Sequence, residues 1–206
     1  MTGEQGIQSI IETGRKIGRE KLTWGSSGNL SVKDDRGIRH ITASKTVLWN
    51  LATEDILSTD VPSQRKASRE ACIHEKIYEL RPEIHAVLHV SPFYATLCAC
   101  SDIPVKVNLF IESMRSVRKL AYVDYADPGS QELCELLGKA CTEADVLMLR
   151  NHGVFILAST MEKAFEILLY LESMCRMNVL CHAGKFKLNE LPPDVVSHFL
   201  QGQYMK

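Results

Sequence analysis

Apolar and polar residues alternate along the chain with two different periods, which predicts both helices and strands. Isoleucines recur at helical spacing between residues 4 and 20, so a helix is expected there. Leu30 and Val32 alternate with polar residues, and residues 38–42 alternate in the same way. The turn residues 34–37, Asp-Asp-Arg-Gly, separate the two runs, and together they predict a β-hairpin.

The same two periods predict the elements that follow the hairpin. We expect helices over 68–80, 94–100 and 130–143, and strands over 86–90, 105–109, 120–124, 146–149 and 154–158. Ser159 with Glu162 predicts a capping box that opens a long helix reaching Gly184. Pro192 and Pro193 mark a break before a short polar tail.

Mixed helices and strands favour an α/β fold, and the hairpin excludes a purely parallel sheet. No stretch rich in glycine, serine or proline divides the chain, and its 206 residues are 45% hydrophobic. A chain of this size and composition can bury one sizeable core. We therefore expect one domain over residues 1–206.

Charge and hydropathy exclude several classes of partner. The formal net charge is −1, which gives no global attraction to nucleic acid or to an anionic membrane. The sequence contains no run of about 18 uncharged apolar residues, so no transmembrane helix is predicted. The N-terminus lacks the basic start and apolar block of a secretory signal. The seven cysteines are odd in number and form no CxxC motif, so we expect reduced thiols in a cytoplasmic protein.

Three polar side chains at predicted element ends are candidates for metal chemistry. Glu70 shares a helix face with His74, His89 ends a strand before a proline-marked turn, and His152 lies in the turn between two strands. Each has a simple structural alternative: an ion pair, a packed strand histidine, or a solvent-facing turn residue. Two histidines and a carboxylate with an open position also form a recognised catalytic zinc site.

The segment GSSGN, residues 25–29, has the composition of an anion cradle or of an ordinary turn. Small hydroxyl and amide side chains, with a glycine that lets backbone N–H groups approach, can surround an anion. Ser68, at the start of a predicted helix, adds unpaired N–H groups and the positive end of the helix dipole.

Five segments in this order resemble the class II aldolase/adducin family: GSSGNLSV, ITAS, SREACIHEKIY, AVLHVSPFYAT and LRNHGVF. The resemblance runs from about residue 5 to residue 183. It implies a three-layer α/β/α domain with a mostly antiparallel central sheet. It also implies metal ligands at Glu70, His89 and His152, and it implies phosphate-binding residues at Ser26, Asn29, Ser44 and Ser68.

The activity that the resemblance implies is that of a metal-dependent aldolase-type lyase acting on a small sugar phosphate or hydroxy-carbonyl acid. A divalent metal, most often zinc, stabilises the enediolate formed when a C–C bond breaks. The family's glutamate, here Glu70, shuttles a proton. Family members form homotetramers with active sites between subunits, so we expect a homo-oligomer.

The chain departs from the family pattern at several positions. Ser91 stands where a third histidine ligand is usual, and Arg69 replaces the second serine of the phosphate-binding pair. Arginine can bind a phosphate or a carboxylate through two N–H groups, so Arg69 joins the anion candidates. Lys45 replaces a glycine, and Asn108 falls where the family has a catalytic tyrosine. Tyr204 is the candidate for the family's C-terminal tyrosine.

These departures leave two other functions open. The chain could be a non-catalytic, adducin-like binding domain that has lost the metal, or an epimerase, dehydratase or decarboxylase that uses the same pocket. Arg69 and Lys45 would favour a carboxylate substrate in the second case. Glu112 and Arg115 are further candidates for polar groups beside the site, with a solvated helix face as the alternative.

Overall fold

The computed structural model describes residues 1–117 and 119–201 and has the predicted α/β fold. Seven strands form one sheet in the order β3-β2-β1-β4-β7-β6-β5. The strands are β1 (Asn29–Lys33), β2 (Arg39–Thr42), β3 (Ile56–Ser58), β4 (Ala86–Val90), β5 (Leu120–Val123), β6 (Val146–Leu149) and β7 (Gly153–Ala158). Two 3₁₀ turns, at Leu48–Asn50 and Thr53–Asp55, precede β3.

Helices cover both faces of the sheet, which gives the expected three layers. They are α1 (Gly3–Arg19), α2 (Ala71–Leu80), α3 (Phe93–Ala99), α4 (Ile111–Ser116), α5 (Gln131–Ala140), α6 (Met161–Gly184) and α7 (Pro193–Leu200). One buried apolar cluster joins α1, α3 and α6 to the sheet, and a second joins α2 and α5 to the opposite face. Successive side chains of a strand point to opposite faces of the sheet, so each central strand contributes residues to both clusters.

The sheet is mixed, because one parallel pair interrupts the antiparallel pairing that was expected to predominate. β5 and β6 pair in parallel, while the other neighbouring strands pair antiparallel. The reason lies in the connection: α5 links β5 to β6, and a helical crossover returns the chain in the same direction. A short turn instead joins β6 to β7, which therefore pair as a hairpin.

Most predicted elements are confirmed, including α1 and the β1–β2 hairpin with its turn at residues 34–37. The strand predicted over 105–109 is wrong, because this segment has no strand partner in the structure. Its backbone is bonded elsewhere. The Asn178 side chain accepts from the Lys106 N–H and donates to the Lys106 carbonyl, and the Leu191 N–H donates to the Asn108 carbonyl.

Helix starts are the other point of difference. Ser130 caps α5 as expected, by accepting a hydrogen bond from the Leu133 N–H. α6 is capped by Thr160 rather than by a box of Ser159 with Glu162. α2 begins at Ala71, so Ser68 lies before the helix and not at its first turn. α7 follows the proline break and has a proline in its first turn, where a missing N–H costs nothing.

The cysteines within the described residues are all free thiols, and Cys98, Cys134, Cys141 and Cys175 are buried. No helix in the described part of the chain combines the length and the apolar character that a membrane span needs. Tyr204, the candidate C-terminal tyrosine, lies outside the described residues.

The central strands bring distant parts of the sequence to one edge of the sheet. β4 and β6 both run antiparallel to β7, so the C-terminal ends of β4 and β6 lie at the same edge as the start of β7. β1 begins at this edge too, since Asn29 pairs with His89. Gly28 precedes β1 with a φ of 91°, and a Cβ there would lie 2.5 Å from the His89 carbonyl oxygen.

Replacing Gly28 by alanine should therefore strain the backbone in two ways at the point where β1 begins beside β4. We expect Gly28→Ala to lower the free energy of unfolding by about 3 kcal/mol, since a left-handed φ and a backbone clash both oppose a Cβ. Gly37→Ala is the matched control, because Gly37 has a φ of 80° with nothing within 4 Å of a Cβ. Its loss should be about 1 kcal/mol. Equal losses in urea denaturation would show that the close approach to β4 is unimportant.

Candidate functional site

Three side chains from separate elements converge at this edge of the sheet. His89 Nε2 lies 3.3 Å from Glu70 Oε2, and His152 Nε2 lies 3.4 Å from Glu70 Oε1. The ligand atoms of the three residues all lie within 4.8 Å of one another. Two neutral imidazoles and a carboxylate are a suitable donor set for a divalent transition metal.

His89 is held with its Nε2 directed at the other two groups. It lies near the end of β4, on the same face of the strand as Val87. Its Nδ1 lies 3.0 Å from the Val154 carbonyl oxygen, which only accepts, so Nδ1 donates. The ring stacks on Phe155 with centroids 4.2 Å apart. In the neutral ring Nε2 then carries the free lone pair that a metal ligand needs.

His152 is presented by the turn between β6 and β7. The turn is tight, and Asn151 adopts a left-handed φ of 56°. Burial and the neighbouring His89 lower the pKa of His152, although the Glu70 carboxylate opposes this shift. The imidazole is therefore neutral at pH 7 and can act as a ligand.

The Glu70 carboxylate immediately precedes α2 and is almost fully buried. Burial acts to raise the pKa of Glu70. The imidazoles of His89 and His152 and the Asn29 amide outweigh this effect, so the net pKa is lowered and the group is ionised. Glu70 Oε1 has no hydrogen-bond partner among the described residues, and neither has His152 Nδ1. A buried, ionised and partly unpaired carboxylate between two imidazole nitrogens fits a bound cation.

Ser91 is buried and does not belong to the group of possible ligands. Its Oγ lies 3.2 Å from Ser27 Oγ and donates to the His152 carbonyl at 3.3 Å. Ser91 therefore links the loop before β1 to the turn that carries His152. This role depends on contacts between three separate segments, and nothing in the sequence indicates it.

Every residue singled out from the sequence as a ligand or anion-binding group lines one cleft of about 460 Å³. Those residues are Ser26, Asn29, Ser44, Ser68, Arg69, Glu70, His89 and His152. Segments 42–44 and 66–68 meet there, since Ser44 N–H donates to Lys66 and Ser68 N–H donates to Thr42. Their pairing brings hydroxyl groups from distant parts of the sequence to the same wall.

Two cationic residues, Arg69 and Lys45, also line the cleft. Both are exposed, and Lys45 adopts a left-handed φ of 66°, which a residue with a Cβ rarely adopts. Ser27, within the GSSGN segment, also lines the cleft, and so does Pro128, to which sequence reasoning gave no role in the site. The turn that contains Pro128 packs closely on Arg69, since a Cβ on Gly129 would lie 2.9 Å from the Arg69 carbonyl oxygen.

Other candidates lie away from this cleft. Asn108 lines a separate cavity with Glu190 and Pro192. Glu112 and Arg115 are exposed on α4, which packs against α6 and contributes nothing to the cleft lining. This agrees with a solvated helix face, so neither Glu112 nor Arg115 supplies a polar group to the cleft.

Known proteins are similar to this chain in both sequence and fold. An L-fuculose phosphate aldolase of Methanococcus vannielii is 35% identical over 176 residues, which cover 84% of this chain and 94% of that enzyme. A 3-oxo-tetronate 4-phosphate decarboxylase of Haemophilus influenzae is 28% identical over 166 residues, covering 76% and 79% of the two chains. A solved L-fuculose 1-phosphate aldolase superposes with a TM-score of 0.84 at 27% identity, covering 96% of this chain and 95% of that chain.

The family model described as the class II aldolase and adducin N-terminal domain matches residues 8–179. This range includes all seven strands and the whole candidate site. The match agrees with the order of the five sequence segments and with the three-layer fold. The chain therefore belongs to the class II aldolase/adducin family.

Proposed function

We propose that this protein is a metal-dependent lyase that cleaves or forms a C–C bond beside a carbonyl group in a small sugar phosphate. The observation that carries the proposal is the convergence of Glu70, His89 and His152 in a cleft lined by hydroxyl and cationic side chains. Assembly into a homotetramer with sites between subunits remains a prediction from the family resemblance, and a cytoplasmic location remains a prediction from the cysteine pattern and the N-terminal sequence.

The residues that would hold a divalent metal are His89, His152 and Glu70, whose ligand atoms all lie within 4.8 Å of one another. When bound, a divalent ion of zinc type would supply Lewis acidity, which would favour negative charge on a carbonyl oxygen of the substrate. His89 is oriented by its bond to Val154, and the His152 turn is braced by Ser91. This bracing holds both ligands in place without a third histidine.

Glu70 moves the proton in this proposal. Its Oε2 is held by the Asn29 amide at 2.8 Å, whereas Oε1 has no hydrogen-bond partner among the described residues. We assign Oε1 as the atom that takes a proton from the carbon beside the carbonyl during bond formation and returns it during cleavage. A carboxylate with one fixed and one free oxygen suits this role.

The anionic group of the substrate binds at the other end of the cleft. Ser26, Ser44 and Ser68 provide hydroxyl groups, and the guanidinium of Arg69 provides two N–H donors in one plane. The Asn29 amide already bonds to Glu70 and His74, so one N–H hydrogen remains for an anion. The positive charge of the cleft therefore comes from Arg69 and Lys45.

A second candidate is decarboxylation of a 3-oxo acid phosphate in the same cleft. Two cations line the cleft, and a substrate with both a phosphate and a carboxylate would use both. The decarboxylase of Haemophilus influenzae is named for such a substrate. Decarboxylation also breaks a C–C bond beside a carbonyl group, so the same ligands and the same Lewis acid serve it.

Metal content is the first test of the proposal. Protein purified without chelator and equilibrated with zinc should hold about one ion per chain by elemental analysis. Glu70→Ala should lower the affinity by more than about 100-fold, because it removes a ligand rather than an outer contact. Glu79→Ala is the control, since Glu79 is an exposed glutamate on the same helix. A wild-type protein that stays metal-free would favour the non-catalytic binding domain.

Arg69→Met should separate substrate binding from chemistry. We expect KM for L-fuculose 1-phosphate to rise about tenfold or more with kcat little changed, because a charged hydrogen bond made equally before and during reaction is lost. Arg65→Met is the control, since Arg65 pairs with Asp55 outside the cleft.

Turnover of 3-oxo-tetronate 4-phosphate but not of fuculose phosphate would select the decarboxylase.

Ser91→Ala tests the bracing role against a ligand role. Losing the contacts to Ser27 and to the His152 carbonyl should lower the free energy of unfolding by about 1 kcal/mol and leave one metal per chain. Ser116→Ala is the control, because Ser116 Oγ is buried with no hydrogen-bond partner among the described residues. A folded Ser91→Ala protein without metal would instead place Ser91 among the ligands.

A further inference from the structure

We infer that His74 is a positioning residue, which fixes the orientation of the Asn29 amide and thereby holds the Glu70 carboxylate towards His89 and His152. A buried row of hydrogen bonds connects Glu70 to the interior through Asn29, His74, Ser31 and Tyr78. The inference deepens the proposed function and rests on it, since it explains how the proton-shuttling carboxylate is held.

The direction of each hydrogen bond follows from the carboxylate. An ionised carboxylate only accepts, so the Asn29 Nδ2–H donates to Glu70 Oε2 at 2.8 Å. The amide oxygen of Asn29 then faces His74 Nε2 at 2.5 Å, and an amide oxygen also only accepts. His74 Nε2 must therefore carry a hydrogen and donate it.

The far side of the His74 ring is fixed by the same reasoning. Burial lowers the pKa of His74 to about 3, so the ring is neutral and has one N–H. Nδ1 then accepts, and the Ser31 hydroxyl donates to it at 2.6 Å. The Tyr78 hydroxyl in turn donates to Ser31 Oγ at 2.7 Å. Burial also raises the pKa of Tyr78, which keeps this last donor protonated.

The Asn29 amide, which bonds to Glu70, therefore has a single favourable orientation. An asparagine amide can rotate by half a turn and exchange its N–H₂ and its oxygen. The exchanged form would present the Asn29 oxygen to the Glu70 carboxylate, and two acceptors would then face each other. With His74 in the Nε2–H tautomer, the exchanged form would also set two donors, the Asn29 N–H₂ and the His74 Nε2–H, against each other. The neutral imidazole thus acts on the orientation of the Glu70 carboxylate through the Asn29 amide.

His74 is held rigidly enough for this task. It is 1% exposed, it lies on the buried face of α2, and its ring packs edge-on against Phe155 at a centroid distance of 5.6 Å. Phe155 also stacks on His89, so one aromatic ring contacts both the positioning histidine and a candidate ligand. Ser31, like Asn29, lies on β1 and is fixed by strand pairing with β2 and β4.

The first experiment uses the metal-free protein, so its result does not depend on the proposed function. Nitrogen NMR of ¹⁵N-histidine-labelled protein should show His74 as the neutral, Nε2-protonated form throughout pH 5–8. The Asn29 side-chain protons should exchange slowly with solvent. A His74 ring protonated at Nδ1, or at both nitrogens at pH 7, would overturn the inference whether or not the variants fold.

The second experiment compares variants. His74→Phe keeps a ring but removes both nitrogens, so Asn29 exchange should accelerate by at least about tenfold, and the affinity for Co²⁺ should fall by about 10- to 100-fold. The cobalt absorption spectrum should change as well. His74→Gln keeps an N–H near the position of Nε2, and it should restore slow exchange and most of the affinity.

Ile77→Val is the matched control, because Ile77 is fully buried on the same helix and outside the hydrogen-bonded row. It should lower the stability while leaving Asn29 exchange, cobalt affinity and the spectrum unchanged. If His74→Phe behaves like Ile77→Val, His74 is only a packing residue and the inference is wrong. If wild-type protein binds no cobalt, the proposed function fails, and the two NMR measurements still decide the role of His74.

Discussion

The candidate site depends on one buried negative charge, the Glu70 carboxylate. Removing a carboxylate from water costs several kcal/mol unless other groups compensate for it. Here the compensation comes from two imidazoles, one amide and the row of hydrogen bonds behind that amide. The start of β1, the end of β4 and the turn after β6 each contribute to this environment. Their positions are therefore constrained by the same charge.

β4 shows how one short strand serves both the core and the site. Ala86, Leu88 and Val90 enter the apolar cluster beneath α1, α3 and α6, whereas Val87 enters the opposite cluster. His89 takes the position after Val87 on that second face, where Phe155 provides a flat apolar surface. The two-residue period of a strand thus fixes the direction of the ligand as strictly as it fixes the core.

Sequence reasoning found the elements and the lining of the site but missed how the lining is held together. Hydrophobic periodicity and the positions of proline and glycine are local signals, which explains why α1, the first hairpin and β4 could be predicted from the sequence. The segment 105–109 has a strand-like composition, yet the Asn178 side chain bonds its backbone. Asn29 and His74 are 45 residues apart, and their contact exists only because β1 pairs with β4 while α2 packs beneath them. No local pattern reports such a contact. The spacing of Glu70 and His74 suggested a direct pair, whereas Asn29 lies between them.

The dispersed origin of the site links occupancy to folding. Glu70, His89 and His152 belong to segments that become neighbours once β4, β7 and β6 have paired and α2 has packed on the sheet. An unfolded chain would have to close loops of tens of residues to bring the same three groups together, at an entropic cost that grows with loop length. A cation that binds these three residues only in the folded protein would stabilise the whole central sheet. Its contribution to the free energy of unfolding would rise with the logarithm of its free concentration. Metal supply would then set what fraction of the protein is folded as well as whether the cleft is chemically competent.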